Sequence, residues 1–342
     1  MITTVSMVVK IWKIKKISRF LIGVICGVLF IQIILLELFD SEVPDTNMEK
    51  IAYDIQHNES LNVNLLNDFN EKYIYRINPA KSMCKNSNCD SLQIIFIVKS
   101  YVLNFGQRIA IRRTWGGVTA LRSKTLFIVG YLDDIDHLVQ LESTNYKDIV
   151  QLNLPDLYEN VVYKTIYSLL WLSHVNINAE FIHFVDDDRL VNPINIYDLA
   201  SNNIDSADLV MVGYKLEFSK PHRNKNSKTY ISLDDYPFLF YPPYIIGGTI
   251  LTNFKTVLLL ASAVAFTKVI PIEDAYIGIV AKSVNIKLKH HFRFLPYKQS
   301  PYTLWNTASS PGYSNTYFLL RDWNLVRAMN NMNKDRSQLL LN

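Results

Sequence analysis

Cysteine and glycine are both scarce: the 342 residues hold 3 of the first and 11 of the second. Three cysteines cannot staple a small disulfide scaffold, and so little glycine excludes a fibrous or low-complexity chain. Internal repeats are missing too, which removes solenoids. An excess of one charge is missing from most of the chain. The formal net charge is +4, and Lys10, Lys13, Lys15, Lys16 and Arg19 carry more than that within the first 19 residues, where no acid occurs. Without them the chain is close to neutral, so its basic balance gives no argument for a nucleic-acid partner. What is plentiful is apolar and aromatic: 49% of residues are hydrophobic, with 20 Tyr and 17 Phe, enough for one large core or two smaller ones.

One apolar run, residues 20–36, is long enough to matter by itself. As a helix it would span about 26 Å, near the hydrocarbon thickness of a thin early-secretory bilayer. Basic residues before it and Glu37 and Asp40 after it put the N-terminus in the cytosol. A cleaved signal peptide is the rival, but its apolar stretch would be shorter and no small-x-small site follows. A buried core helix is the less favoured alternative, because the run is apolar on every face. The expected organisation is therefore a cytosolic tail over 1–19, a transmembrane signal-anchor over 20–38, a lumenal stem over 39–90 and a globular domain over 91–342. Cys26 lies in the span, so Cys84 and Cys89 are the lumenal cysteines, as a pair, as free thiols or in an intermolecular bond. Asn58-Glu-Ser60 is the one glycosylation sequon.

From residue 92 short apolar runs alternate with amphipathic stretches. The pattern predicts strands over 92–99, 124–131 and 181–185, and helices over 106–115, 158–175, 257–266 and 275–283. Strands alternating with helices imply an α/β domain with a mainly parallel sheet, in which ligands bind beyond the carboxyl ends of the strands. Asp186, Asp187 and Asp188 fall at such an end. Stacked carboxylates repel one another unless a cation or a hydrogen-bond network neutralises them. Hard divalent cations reach phosphate-bearing substrates through only one or two carboxylates, so a metal-bridged diphosphate is one reading. A solvated acidic turn is the other.

Five blocks, in order over residues 92–285, carry a resemblance. Residues 108–116 read Arg-Ile-Ala-Ile-Arg-Arg-Thr-Trp-Gly, preceded by Val98-Lys-Ser100. Asn160 to Thr165 with Trp171 form the second block, and Phe184-Val-Asp-Asp-Asp188 with Val191-Asn192 the third. Tyr241-Pro-Pro-Tyr-Ile-Ile-Gly-Gly248 and Glu273-Asp-Ala-Tyr-Ile-Gly278 complete the set. Together they resemble the β1,3-galactosyltransferase and β1,3-N-acetylglucosaminyltransferase family of Golgi enzymes. The resemblance implies a GT-A fold for 91–342, a UDP-sugar donor, a divalent metal (usually Mn2+), a glycan acceptor on glycoprotein or glycolipid, and a single-pass type II protein of the Golgi membrane. It makes Asp188 the first choice for metal ligand, with Asp186 at the ribose or at metal-bound water. Asp187 lies between them, as a donor contact or as an acceptor for backbone N–H groups. It makes Asp274 the catalytic base, with Glu273 as runner-up. Both could instead only stabilise the N-terminus of the following helix. Gly247 and Gly248 could let backbone approach the donor or form a plain turn. Tyr241 and Tyr244 could stack on sugars or fill core, and Trp115 is expected in the core. Arg108, Arg112 and Arg113 follow the first strand, and one or more is expected at the diphosphate.

Several positions depart from the family pattern. Ile245 and Val280 stand where it often has cysteines, and Arg189 where it has a small apolar residue. The late metal-binding histidine is not evident; His290 and His291 are the histidines after Asp274, and His291 is taken as the candidate ligand. Three functions fit. The first is an inverting transferase that moves a hexose or N-acetylhexosamine, galactose first, in β1,3 linkage. The others are a catalytically silent relative that binds glycans or partner enzymes, and a metal-dependent phosphohydrolase. The last leaves the Tyr-Pro-Pro-Tyr and Arg-Thr-Trp blocks without a role.

Overall fold

The computed structural model describes residues 23, 24, 27, 66, 67, 69, 74–83, 91–175, 177 and 179–339. The expected tail, the bulk of the expected membrane span, Asn58 and all three cysteines lie outside them. The chain divides into two compact units, Met1–Thr46 and Asn47–Asn342. Of the first, Gly23, Val24 and Gly27 are described, and all are helical. Among the described residues no helix is long and apolar enough to cross a membrane.

The second unit is a mixed α/β fold around an eight-stranded sheet. Its strands are β1 (Tyr75–Ile77), β2 (Leu92–Lys99), β3 (Ser123–Tyr131), β4 (Ile149–Pro155), β5 (Ala179–Asp186), β7 (Val210–Gly213), β10 (Thr249–Asn253) and β11 (Lys287–His290). The short strands β6 (Leu190–Val191), β8 (Lys215–Leu216), β9 (Tyr244–Ile245) and β12 (Ser309–Ser310) pair outside it, β12 with β6 and β8 with β9. The order across the large sheet is β1-β4-β3-β2-β5-β10-β7-β11. The pairings β4-β3, β3-β2, β2-β5 and β7-β11 are parallel. Strand β10 runs antiparallel between β5 and β7, and β1 is an antiparallel edge. The central strands are buried on both faces, as parallel strands between helix layers must be.

The register of these strands positions the cleft. Lys99, the last residue of β2, lies opposite Asp186, the last of β5. On the other side of β5, Thr249 of β10 faces Val185, which sets Gly248 beside Asp186; the Asp186 N–H donates to the Gly248 carbonyl at 3.1 Å. Three chain segments thus meet at one sheet edge.

The helices are α1 (Ala80–Met83), α2 (Phe105–Arg113), α3 (Asp136–Tyr146), α4 (Val161–His174), α5 (Pro193–Asn203), α6 (Phe254–Ala263), α7 (Glu273–Ser283) and α8 (Thr316–Leu339). Three depart from the sequence reading. Helix α2 stops before Trp115 because Thr114 leaves helical geometry and its Oγ1 turns back to the Ala110 carbonyl at 2.7 Å. Trp115 then sits in a separate 3-10 turn, buried, donating to the Arg189 carbonyl at 3.0 Å. Helix α6 starts at residue 254, earlier than expected, because the Asn253 side chain accepts the Thr256 N–H as an N-cap. Helix α7 starts at Glu273, which puts both acids in its first turn.

The folded unit also begins before residue 91. Strand β1, assigned to the stem, pairs with β4, and Leu66 and Asn67 donate backbone hydrogen bonds to the Ala265 carbonyl. A three-residue strand gives too little periodicity to be recognised in the sequence.

Candidate functional site

A cleft of about 840 Å3 opens at the ends of β2 and β5 and the start of α7. Lys99, Asp186, Asp188, Arg189, Glu273 and Asp274 line it, together with Gly248. Lys99 is its hub. The ammonium is buried, 3.1 Å from Asp186, 2.5 Å from Glu273 and 3.1 Å from the Gly247 carbonyl. Burial opposes its charge, but Asp186 and Glu273 outweigh that and hold its pKa above the ordinary lysine range. Lys99 stands within the Val98-Lys-Ser100 block, whose resemblance implies no role for it. The available signal was its place as the one charged residue ending an apolar strand.

Glu273 and Asp274, adjacent in sequence, have different surroundings. The Glu273 Oε1 accepts from Lys99 and also from the Thr165 hydroxyl of α4. Burial, with Asp274 and Asp186 adding repulsion against the pull of Lys99, raises its pKa. Asp274 packs on Gly247, whose backbone N–H meets its carboxylate; a Cβ at Gly247 would collide with the Asp274 Oδ1. Burial again raises the pKa, with the Gly247 N–H and Lys99 opposing. Gly247 therefore has to be glycine for close approach to Asp274.

The three aspartates also separate. Asp187 also lines the cleft but is buried, held by the Ser100 hydroxyl at 2.7 Å and the Asn104 amide at 3.0 Å. Burial raises its pKa and those two bonds oppose the rise. Asp188 has its carbonyl bound by the Tyr313 N–H at 2.7 Å, and among the described residues no side chain donates to its carboxylate. Burial and then Asp186 raise the Asp188 pKa, while Arg189 opposes. Arg189 is itself buried beside Gly248, where a Cβ would stand 2.7 Å from its Nε and Nη2. Lys164, a third buried cation here, bridges Asp156 at 2.6 Å and the Ser100 carbonyl at 2.8 Å.

Other expected residues lie elsewhere. Arg108 is fully buried, with a fork to Glu142 at 2.7–3.1 Å and further bonds to the carbonyls of Tyr101 and Val102. Arg112 pairs with Glu142 and Asp148, each at 2.7 Å. Both guanidiniums are committed to these carboxylates and neither lines the cleft. The Arg-rich block is a scaffold between α2 and α3, so the expectation of a diphosphate contact does not hold for Arg108 or Arg112. Substituting Arg112→Met should lower stability by about 2 kcal/mol, less than for a fully buried pair. Donor affinity should stay within about twofold of the parent; urea unfolding and calorimetry on one sample check both.

His291 is also outside the cleft: its ring stacks on Phe292 at 4.9 Å and its Nδ1 accepts the Arg293 N–H. Burial and then Arg293 lower its pKa. His290 accepts from the Lys215 N–H and packs against Tyr214. Among the described residues no histidine lines the cleft. Tyr241 and Tyr244 are buried and fill core; the Tyr244 hydroxyl meets that of Ser219 at 2.9 Å. Ile245 and Val280, in place of cysteines, are buried apolar residues. Close packing of α7 on β9 depends on Gly278, where a Cβ would come 2.5 Å from that of Tyr244.

The donor set of the cleft fits a hard divalent cation held by few protein ligands. Asp186 is partly exposed and Asp188 lacks a side-chain donor, so this facing pair is incompletely neutralised. No group of three His, Cys, Asp or Glu suited to a metal is found among the described residues. A cation here would rely on one or two carboxylates and on substrate oxygens.

The galactosyltransferase family profile matches residues 106–292. The chain is similar to beta-1,3-galactosyltransferase brn of Drosophila melanogaster, 32% identical over 246 residues, covering 70% of this chain and 75% of the fly protein. It is also 32% identical to beta-1,3-galactosyltransferase bre-5 of Caenorhabditis elegans, with 62% and 67% covered. A third relative is UDP-GlcNAc:betaGal beta-1,3-N-acetylglucosaminyltransferase 7 of Rattus norvegicus, 32% identical over 213 residues that cover 59% of this chain and 53% of the rat protein.

Proposed function

The chain belongs to the galactosyltransferase family, and from that premise we propose that it is an inverting β1,3-hexosyltransferase with a GT-A-type domain. It moves galactose, or else an N-acetylhexosamine, from a UDP-sugar to a glycan acceptor on glycoprotein or glycolipid. The observation that carries this reading is Asp274 packed on Gly247 in the same cleft as Asp186 and Asp188. This arrangement supports a base beside a diphosphate site at one sheet edge.

Inverting transfer needs a base within reach of the acceptor hydroxyl, on the side opposite the leaving group. Glu273 is occupied by Lys99 and Thr165, so Asp274 takes that role. Its raised pKa makes it a stronger base than an ordinary aspartate, and the adjacent Gly247 backbone fixes its orientation. Lys99 gathers Asp186, Glu273 and the Gly247 carbonyl, so it positions both halves of the site. Asp186 and Asp188 would hold Mn2+, which supplies Lewis-acid neutralisation of the departing diphosphate. Gly248 leaves room for the Arg189 guanidinium at the same edge.

The apolar run over 20–36 and its flanking charges support a type II anchor in the Golgi membrane, with the catalytic domain in the lumen. Two tests apply. Product from a UDP-sugar panel should carry a β1,3 linkage by NMR; α-configured product would overturn inversion. Asp274 must be ionised to act, so kcat should fall as pH falls through a pKa above the usual aspartate value. A profile flat down to the ordinary aspartate range would exclude Asp274.

A further inference from the structure

A second cavity, about 570 Å3, lies away from the cleft between α2, α5, α8 and the turn at Pro301–Asn306. Arg113, Arg293 and Arg327 line it with Trp305, Trp323 and Asn330, and no carboxylate is among the described residues of its wall. Arg113 and Arg327 are exposed, and neither forms an ion pair among the described residues. Arg293 donates to the Asn306 amide oxygen at 2.5 Å and lies 4.0 Å from Asp198 at the edge, so its charge is only partly matched.

The wall is built rather than accidental. Trp305 is 38% exposed, yet its backbone carbonyl is pinned by the side-chain amides of Asn192 and Asn195 at 3.3 and 2.7 Å. Asn192 is itself the N-cap of α5. Trp323 is almost fully buried and closes the floor from α8.

We propose that this cavity is a secondary binding site for an acidic saccharide, one bearing a carboxylate or a sulfate. Guanidinium forks pair bidentately with either anion, an exposed indole offers a flat face to a sugar ring, and amide side chains serve hydroxyls as donor and acceptor. The volume suits a ligand of one or two rings. An acidic peptide would use the charge but has no need of the indole and the amides. Because the site shares no lining residue with the cleft of Lys99 and Asp274, it holds an acidic glycan without entering the transfer step, and it stands independently of the proposed reaction.

The test is Trp fluorescence titration of the full chain, without donor, using sialyllactose, a sulfated disaccharide, uncharged lactose and a Glu-rich peptide. Sialyllactose or the sulfated disaccharide should quench the signal with saturation, and lactose and the peptide should not. Trp305→Phe should remove the quenching, and the double variant R293Q/R327Q should weaken binding at least tenfold. Transfer to an uncharged acceptor should be unchanged in that double variant. No saturable binding of either acidic sugar, equal binding by the peptide, or parental affinity in the folded double variant would each overturn the proposal.

Discussion

Asp274→Asn should bind UDP-sugar as the parent does and transfer it about 10^2–10^4-fold more slowly, the span expected when a positioned base is removed. The substitution keeps the shape of the side chain against Gly247, where no larger neighbour than glycine fits. Lys99 keeps Asp186 and Glu273 as counter-charges, so the fold of the cleft is retained. Glu273 does not take over, because its Oε1 is held by Lys99 and Thr165. Calorimetric donor binding measured beside acceptor-dependent transfer separates the two effects. A variant that transfers at the parental rate would move the base elsewhere, and one that loses donor binding as well would make Asp274 a structural acid.

The second large effect concerns Asp188→Asn. Cation-dependent donor binding should fall by more than the roughly 10–100-fold typical of losing an outer-shell partner. Without any cation the variant should melt at a higher temperature than the parent. The parent keeps Asp188 and Asp186 close together in a partly buried place, with no side-chain donor to Asp188 among the described residues. Removing one of two like charges relieves that repulsion, so stability and function move in opposite directions, as they do where an active site stores unfavourable charge. Thermal melts with and without Mn2+ check both parts. A lower melting temperature in the cation-free variant would show that Asp188 is structural.

The two acids of α7 illustrate how far the sequence carries. Their pairing in a matched block marked both, but only the tertiary positions of Thr165 and Lys99 distinguish the anchored Glu273 from Asp274. The aspartate triplet was legible because an apolar strand ends there. That Asp187 faces Ser100 and Asn104 depends on the turn after β5, which periodicity does not describe.

The arginine block misleads for a related reason. Guanidinium groups suit phosphates and carboxylates equally, and Glu142 and Asp148 lie too far along the chain for spacing to link them to Arg108 and Arg112. Strand β10 leaves no alternating pattern in the sequence because all five of its residues are buried. Helix α8 carries its signal in Leu319, Trp323 and Val326, buried at helical spacing, beyond the end of the matched blocks.

The central claim is that the cleft at Lys99, Asp186 and Asp274 transfers sugar from a UDP donor. Its most direct test is UDP release by the purified protein with Mn2+, one UDP-sugar at a time, with and without a β-galactoside or N-acetylhexosamine acceptor. Release should depend on metal, be stimulated by acceptor with one donor, and be about 10^2–10^4-fold slower in Asp274→Asn. Folded protein that binds no UDP-sugar in the presence of metal would contradict it.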